Sequence, residues 1–121
     1  MKIVEVAFTG YPVSDMERAR TFYEGLLKLE PSRILANGHW IEYDLGPSTF
    51  AINNTAPDQW KPSSDGPAIA FEVDGFDAAV DALRARDVRF EVEPFESPVC
   101  WMAIIADPDG NSIAIHKRKV G

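Results

Sequence analysis

The sequence predicts an α+β protein built from two copies of one strand–helix–strand–strand–strand unit. Three observations carry that reading. Short runs rich in Val, Ile, Phe and Tyr alternate with polar residues, the period of a half-buried strand. One apolar stripe at helical spacing follows the first strand of each half. The landmarks of the first half return in the second about 60 residues later, the mark of an internal duplication. A chain of 121 residues that is 45% apolar is long enough to bury a core without disulfide staples.

In chain order, Lys2–Thr9 is β-rich, and Ser14-x-x-Glu17 has the form of a capping box that opens a helix. Met16, Ala19, Phe22, Tyr23, Leu26 and Leu27 continue that helix as one stripe, which fades near Leu29, ahead of Pro31. Asn37-Gly38 sits between "RILA" and "HWIEYDL" and marks a tight hairpin. Gly46-Pro47 leads into the short strand "STFAIN". The stretch "NTAPDQWKPSSDGP" reads as a linker, with Trp60 as a packing anchor in preference to a lid over a ligand. The second half repeats the order: "PAIAFEV", a helix marked by Phe76, Val80 and Leu83 that ends near Asp87, then "VRFEVE", "VCWMAIIA" and "SIAIH".

Val13 to Met16 return as Val73 to Phe76 at an offset of 60, and Trp40 returns as Trp101 at 61. Phe50-Ala51-Ile52 returns as Ile113-Ala114-Ile115 at 63, a drift that loop insertions produce. The expected boundaries are module one over about 1–54, a linker over about 55–66 and module two over about 67–117.

Charge and cysteine usage narrow the function classes. A net charge of −7 disfavours nucleic acid, because an acidic surface repels phosphate. Lys117-Arg118-Lys119 reads as a solvated tail. No apolar stretch is long enough for a signal peptide or a membrane span, so a soluble cytoplasmic domain without a membrane partner is expected. Cys100 has no second cysteine to pair with, and its apolar setting makes it a buried thiol more readily than a nucleophile. No Ser-His-Asp order, glycine-rich phosphate loop or cysteine-rich metal spacing is present.

The segments "YPVSDMERARTFYEGLLKL", "IAFEVDGFDAAVDALRARDV" and "ADPDGNSIAIHKR" resemble the three signatures of the vicinal oxygen chelate superfamily. That superfamily includes glyoxalase I, extradiol dioxygenases, fosfomycin-resistance transferases and bleomycin-binding proteins. The resemblance covers nearly the whole chain, and the "DPDGN" turn followed by a short strand is its most specific part. It implies an α+β fold in which two βαβββ modules form a curved mixed sheet half-barrel with helices on the convex side. A ligand would then lie in the concave cavity, and a homodimer is the usual assembly. Relatives often carry Gly after the second helix; here stands Asp87, which tolerates left-handed backbone better than most residues.

Strand alternation assigns the inward side chains. With Ile113 and Ile115 toward the helix, Ser112, Ala114 and His116 point inward, and so do Thr49, Ala51 and Asn53 in the matching strand. The same rule turns Ala68 and Ala70 inward, Val6 and Phe8 in the first strand, and Trp40, Glu42 and Asp44 in "HWIEYDL". The repeat offset adds Trp101, while Gly10 or Pro12 marks a place where a bulge would change the phase.

The resemblance implies that metal-using relatives carry His, Gln or Glu at positions that fall here on Phe8, Ala51, Ala68 and Ala114. None of these side chains has a donor atom, and a divalent metal needs several N or O donors at about 2 Å. One pleat onward lie Gly10, Asn53, Ala70 and His116; one pleat back lie Val6, Thr49, Gly66 and Ser112. Only Asn53 and His116 are ligand types, with Glu42 as a further carboxylate.

The expectation is therefore a protein without a metal cofactor that holds a small apolar or aromatic molecule. Phe8, Trp40, Ala51, Ala68, Trp101 and Ala114 would supply contact, and Glu42, Thr49, Asn53 and His116 the polar groups. Two alternatives stand beside it. One is a lyase, isomerase or dioxygenase with a displaced divalent metal, or with acid–base work by Glu42 and His116. The other is an interaction module whose concavity its own side chains fill.

Overall fold

The computed structural model describes residues 1–2 and 4–119. The chain divides into two compact units between Pro62 and Ser63.

The first unit contains β1 (Thr9–Pro12), α1 (Met16–Arg20), β2 (Arg33–Leu35), β3 (Trp40–Leu45) and β4 (Ser48–Asn53). The strand order is β1-β4-β3-β2, with β1 parallel to β4 and the other neighbours antiparallel. Asp15 is the cap of α1: its carboxylate accepts from the backbone N–H of Arg18 at 3.0 Å. Ser14, the cap expected from sequence, instead accepts from the Arg18 guanidinium at 3.1 Å. From Thr21 to Leu26 the helix widens into a π-helical stretch, and it ends at Lys28, whose φ is 64°.

Ala19, Phe22 and Tyr23 form the buried stripe of the helix, and Ile41, Tyr43, Phe50 and Ile52 are the buried residues of the sheet. Tyr23 and Phe50 pack with ring centroids 5.3 Å apart. The Tyr43 hydroxyl donates to Glu24 Oε2 at 2.9 Å, and Arg20 Nε donates to the same oxygen at 2.6 Å. Burial, followed by the hydrogen bond to the Glu24 carboxylate, pushes the Tyr43 phenol well above its ordinary range, so it stays a neutral donor.

Two further expectations for this unit are corrected. The first strand runs Thr9–Pro12, later than the β-rich stretch Lys2–Thr9. Residues 4–8 pair with no strand among the described residues, and Ile3 lies outside them. Thr9 is registered with Phe50 in a β4 that begins at Ser48, so almost no partner remains for the residues ahead of Thr9. The hairpin is also longer than a two-residue turn. Ala36–Gly38 forms a single 3₁₀ turn with φ of 53°, 56° and 87° at Ala36, Asn37 and Gly38. Asn and Gly suit that left-handed path, and Ala36 is carried along with them.

The second unit contains β5 (Ile69–Glu72), α2 (Phe76–Ala85), β6 (Phe90–Glu96), β7 (Cys100–Ala106) and β8 (Ser112–Arg118). Its order, β5-β8-β7-β6, reproduces the first sheet strand for strand. Val80 and Leu83 of α2 are buried, as are Ala103, Ile105, Ile113 and Ile115. Pro94 lies in the edge strand β6, where register shifts break the ladder and a missing N–H is tolerated. Asp87 closes α2 in the left-handed region at φ 56°, and Val88 N–H reaches back to Leu83 O at 3.1 Å. Cys100 is buried with its Sγ 3.2 Å from the Ser97 hydroxyl.

The "DPDGN" turn is a built device. Asp107 Oδ1 accepts from the N–H groups of Asp109 and Asn111 at 2.9 and 2.8 Å. Asp107 Oδ2 takes the Asn111 side-chain amide at 2.9 Å, and Asn111 Oδ1 takes Ser63 N–H at 3.0 Å. Gly110 supplies the φ of 87° that lets the chain turn into β8. This segment therefore aims β8. The fold is α+β, two βαβββ modules, each a four-stranded mixed sheet with one helix.

Candidate functional site

Directly opposed residues share a face of the sheet, so the register identifies what lies opposite each helix. In the first module Trp40 faces Asn53 across the β3–β4 ladder, Glu42 faces Ala51 and Asp44 faces Thr49. On β4's other side Gly10 is opposite Ala51 and Pro12 opposite Asn53. These residues lie away from the Ile41, Tyr43, Phe50 and Ile52 core.

Three aromatic side chains gather on this side. Phe8, just ahead of β1, meets Trp40 edge-on with centroids 5.1 Å apart. The rings of Trp40 and Trp60 are 6.5 Å apart. A Cβ added to Gly10 would fall 2.8 Å from the Trp60 indole, so the ring rests on the bare backbone there. Phe8 is 42% exposed and Trp60 38%, which leaves ring surface open to solvent.

Polar groups flank the rings. Trp40 Nε1–H donates to Glu42 Oε2 at 3.0 Å, fixing the indole, while Glu42 Oε1 lies 4.0 Å from the Arg33 guanidinium. The Glu42 side chain is only 15% exposed. Asn53 is 1% exposed; its Oδ1 accepts from Thr55 N–H at 3.3 Å and the Thr55 hydroxyl at 2.9 Å. Its Nδ2 is buried and has no hydrogen-bond partner among the described residues. Thr49 donates to Asp44 at 3.3 Å on the exposed part of the strand.

In the second module Ala70 is opposite Ala114 and Glu72 opposite His116, with Met102 and Ile104 on β8's other side. The Ala114 neighbour on β5 is thus Ala70; Ala68 precedes the strand and takes no place in the ladder. Phe8 lies two residues ahead of Gly10, the ladder neighbour of Ala51, and meets Trp40 on the face expected for it. Trp101 is corrected more strongly. It pairs with Lys117, which puts it on the face of Ala103 and Ile105, opposite to that of Ala114. The residue matching Trp40 is Met102, since these two lie opposite Asn53 and His116 respectively. A one-residue slip in the repeat offset is enough to reverse a side chain's face. The Lys119 ammonium lies 5.0 Å from the Trp101 ring centroid.

His116 Nδ1 is 2.6 Å from Glu72 Oε1, and Arg118 N–H donates to Glu72 Oε2 at 2.7 Å. The Arg118 N–H, and after it His116, holds the Glu72 carboxyl below its ordinary range. Sequence reasoning set Glu42 beside His116 and missed Glu72. Its phase was visible, since it lies two residues beyond Ala70 on the same strand.

The donor set can be tested against a divalent metal. The paired strand-centre residues are Gly10 with Ala51 and Ala70 with Ala114, which bring only hydrogen atoms and methyl groups. Among the described residues, no three His, Cys, Asp or Glu side chains group as cation ligands. A groove of about 630 Å³ lies elsewhere, lined by Met16, Glu17, Arg20, Thr21, Glu24 and Gly25 of the first helix. It shares no residue with the faces just described.

Among the described residues, no helix is long and apolar enough to cross a membrane. The chain resembles the antibiotic binding protein TnmS3 from Streptomyces sp. CB03234 at 24% identity, over 98% of this chain and 99% of that one, with a TM-score of 0.79. A superfamily member from Sphaerobacter thermophilus DSM 20745 matches at 25% identity over 95% and 98% of the two chains, with a TM-score of 0.78. A lactoylglutathione lyase from Agrobacterium tumefaciens matches at 17% identity over 97% and 96%, with a TM-score of 0.73. No curated protein matches. The family model for the Glyoxalase/Bleomycin resistance protein/Dioxygenase superfamily matches residues 3–115, and the chain belongs to that superfamily.

Proposed function

We propose that this protein binds a flat apolar or aromatic small molecule on the open face of module one, without a metal cofactor. The observation that carries the reading is the Phe8, Trp40 and Trp60 cluster, set beside strand centres reduced to Gly10 and Ala51. Aromatic rings with free surface offer stacking and area burial, and the bare Gly10 backbone lets the Trp60 ring close onto the sheet beside them. Glu42, Asn53 and Thr49 supply polar contacts. Ala114 and His116 occupy the corresponding face of module two. The likeness to an antibiotic binding protein agrees with this class of function.

The strand centres carry no metal ligand, so contact and shape hold the guest. One cysteine, buried, fits a reducing cytoplasm. Thermal-shift screening against a panel of planar aromatic compounds tests the reading: binders raise the unfolding temperature by mass action, and Trp40→Ala abolishes the gain. A panel that leaves the wild-type melting temperature unmoved overturns it.

The same proposal includes a homodimer, supported by the exposed apolar residues Val92, Phe95 and Val99 around the edge strand β6. Sedimentation velocity should report the mass of two chains; a single-chain mass at high concentration contradicts this assembly.

A further inference from the structure

Asn53 is the group on the module-one face that the described packing leaves incomplete. Its Oδ1 faces the Thr55 backbone N–H, which can only donate, so the amide orientation is fixed and Nδ2 is the unpartnered end. A buried N–H without an acceptor carries an unreturned desolvation penalty, and any guest that brings an acceptor removes it. Asn53 sits opposite Trp40 on β3, on the same face as Gly10, Ala51 and Glu42. The Glu42 carboxylate on the neighbouring pleat disfavours an anionic acceptor.

We infer that Asn53 Nδ2 is a selectivity donor, and that the guest is an uncharged planar arene carrying a hydrogen-bond acceptor such as a carbonyl oxygen. This inference rests on the aromatic-binding reading above and adds the polar group that the guest must present. Glu42 does not compete for that role, since a carboxylate accepts hydrogen bonds and donates none, and its Oε2 already accepts from Trp40 Nε1–H.

The test uses two tricyclic probes of nearly the same shape, 9-fluorenone and fluorene, which differ by one carbonyl oxygen. Equilibrium dialysis against the full chain should show fluorenone bound on the order of tenfold more tightly, the scale of one net hydrogen bond. In Asn53→Leu the preference should fall to within about twofold while fluorene still binds, which also shows that the variant is folded. Equal affinities in the wild type would overturn the inference and leave the aromatic reading standing. Failure of both probes would overturn the two together. A preference that survives in Asn53→Leu would also overturn the inference. If Asn53→Leu does not fold, Asn53→Asp keeps an acceptor for Thr55 and removes the donor. It too must lose the preference, and retention counts against the inference.

Discussion

The two modules share a strand order and differ in what that order displays. At matching positions module one carries Trp40, Glu42 and Asn53 where module two carries Met102, Ile104 and His116. Gly10 and Pro12 of the first parallel strand match Ala70 and Glu72 of its counterpart. Module one has thereby become an aromatic surface with a locked indole and an unpartnered amide. Module two has become an aliphatic surface that ends in a closed Glu72, His116 and Arg118 cluster. The duplicated backbone decides which positions face the same way, and single substitutions decide the chemistry shown there. Only the strand-centre alanines, Ala51 and Ala114, are common to both, and they make both faces poor in metal donors.

The comparison breaks most readily at Trp40. Trp40→Ala removes the ring between Phe8 and Trp60 and releases the Glu42 carboxylate from its donor, a loss of about 3 kcal/mol for a partly buried aromatic. Met102→Ala, at the matching position, removes a smaller half-buried side chain and should cost about 1–2 kcal/mol. Urea unfolding of both variants measures the difference, and equal losses would mean that the modules are equivalent after all.

A smaller effect sharpens the contrast from the side of module two. The Glu72 carboxyl is depressed in the folded state, so its stabilising contribution is present above the unfolded value of 4.5 and fades as pH falls through the folded value. Glu72→Gln should be less stable than wild type near pH 7, and the gap should close on acidification toward pH 3. Melting curves across that range check the sign. A gap that widens in acid would remove Glu72 from its role as partner of Arg118 and His116.

Much of the fold was legible because burial imposes a period on the sequence. Ile41, Tyr43, Phe50 and Ile52 had to face α1, and the register with Ala51 and Asn53 followed from alternation. The corrections share one cause. Where β1 and β5 begin, and which way Trp101 faces, is set by ladder partners, and one sequence does not display partners. Trp101 shows the hazard best: the tryptophans at 40 and 101 look equivalent along the chain, yet the ladders match Trp40 with Met102. The contact of Glu72 with His116 and the unpartnered end of Asn53 were hidden for the same reason, since both depend on neighbours brought together by pairing.

Metal independence can be measured on one preparation. The wild-type protein is stripped with EDTA, and the affinity of the tightest aromatic binder is determined by isothermal titration before and after Ni²⁺, Zn²⁺, Fe²⁺ or Mn²⁺ is restored. The account predicts affinities equal within about twofold and no stoichiometric metal retained, because the strand centres offer methyl groups in place of donor atoms. One tightly held ion per chain, with binding that collapses when it is removed, would contradict it.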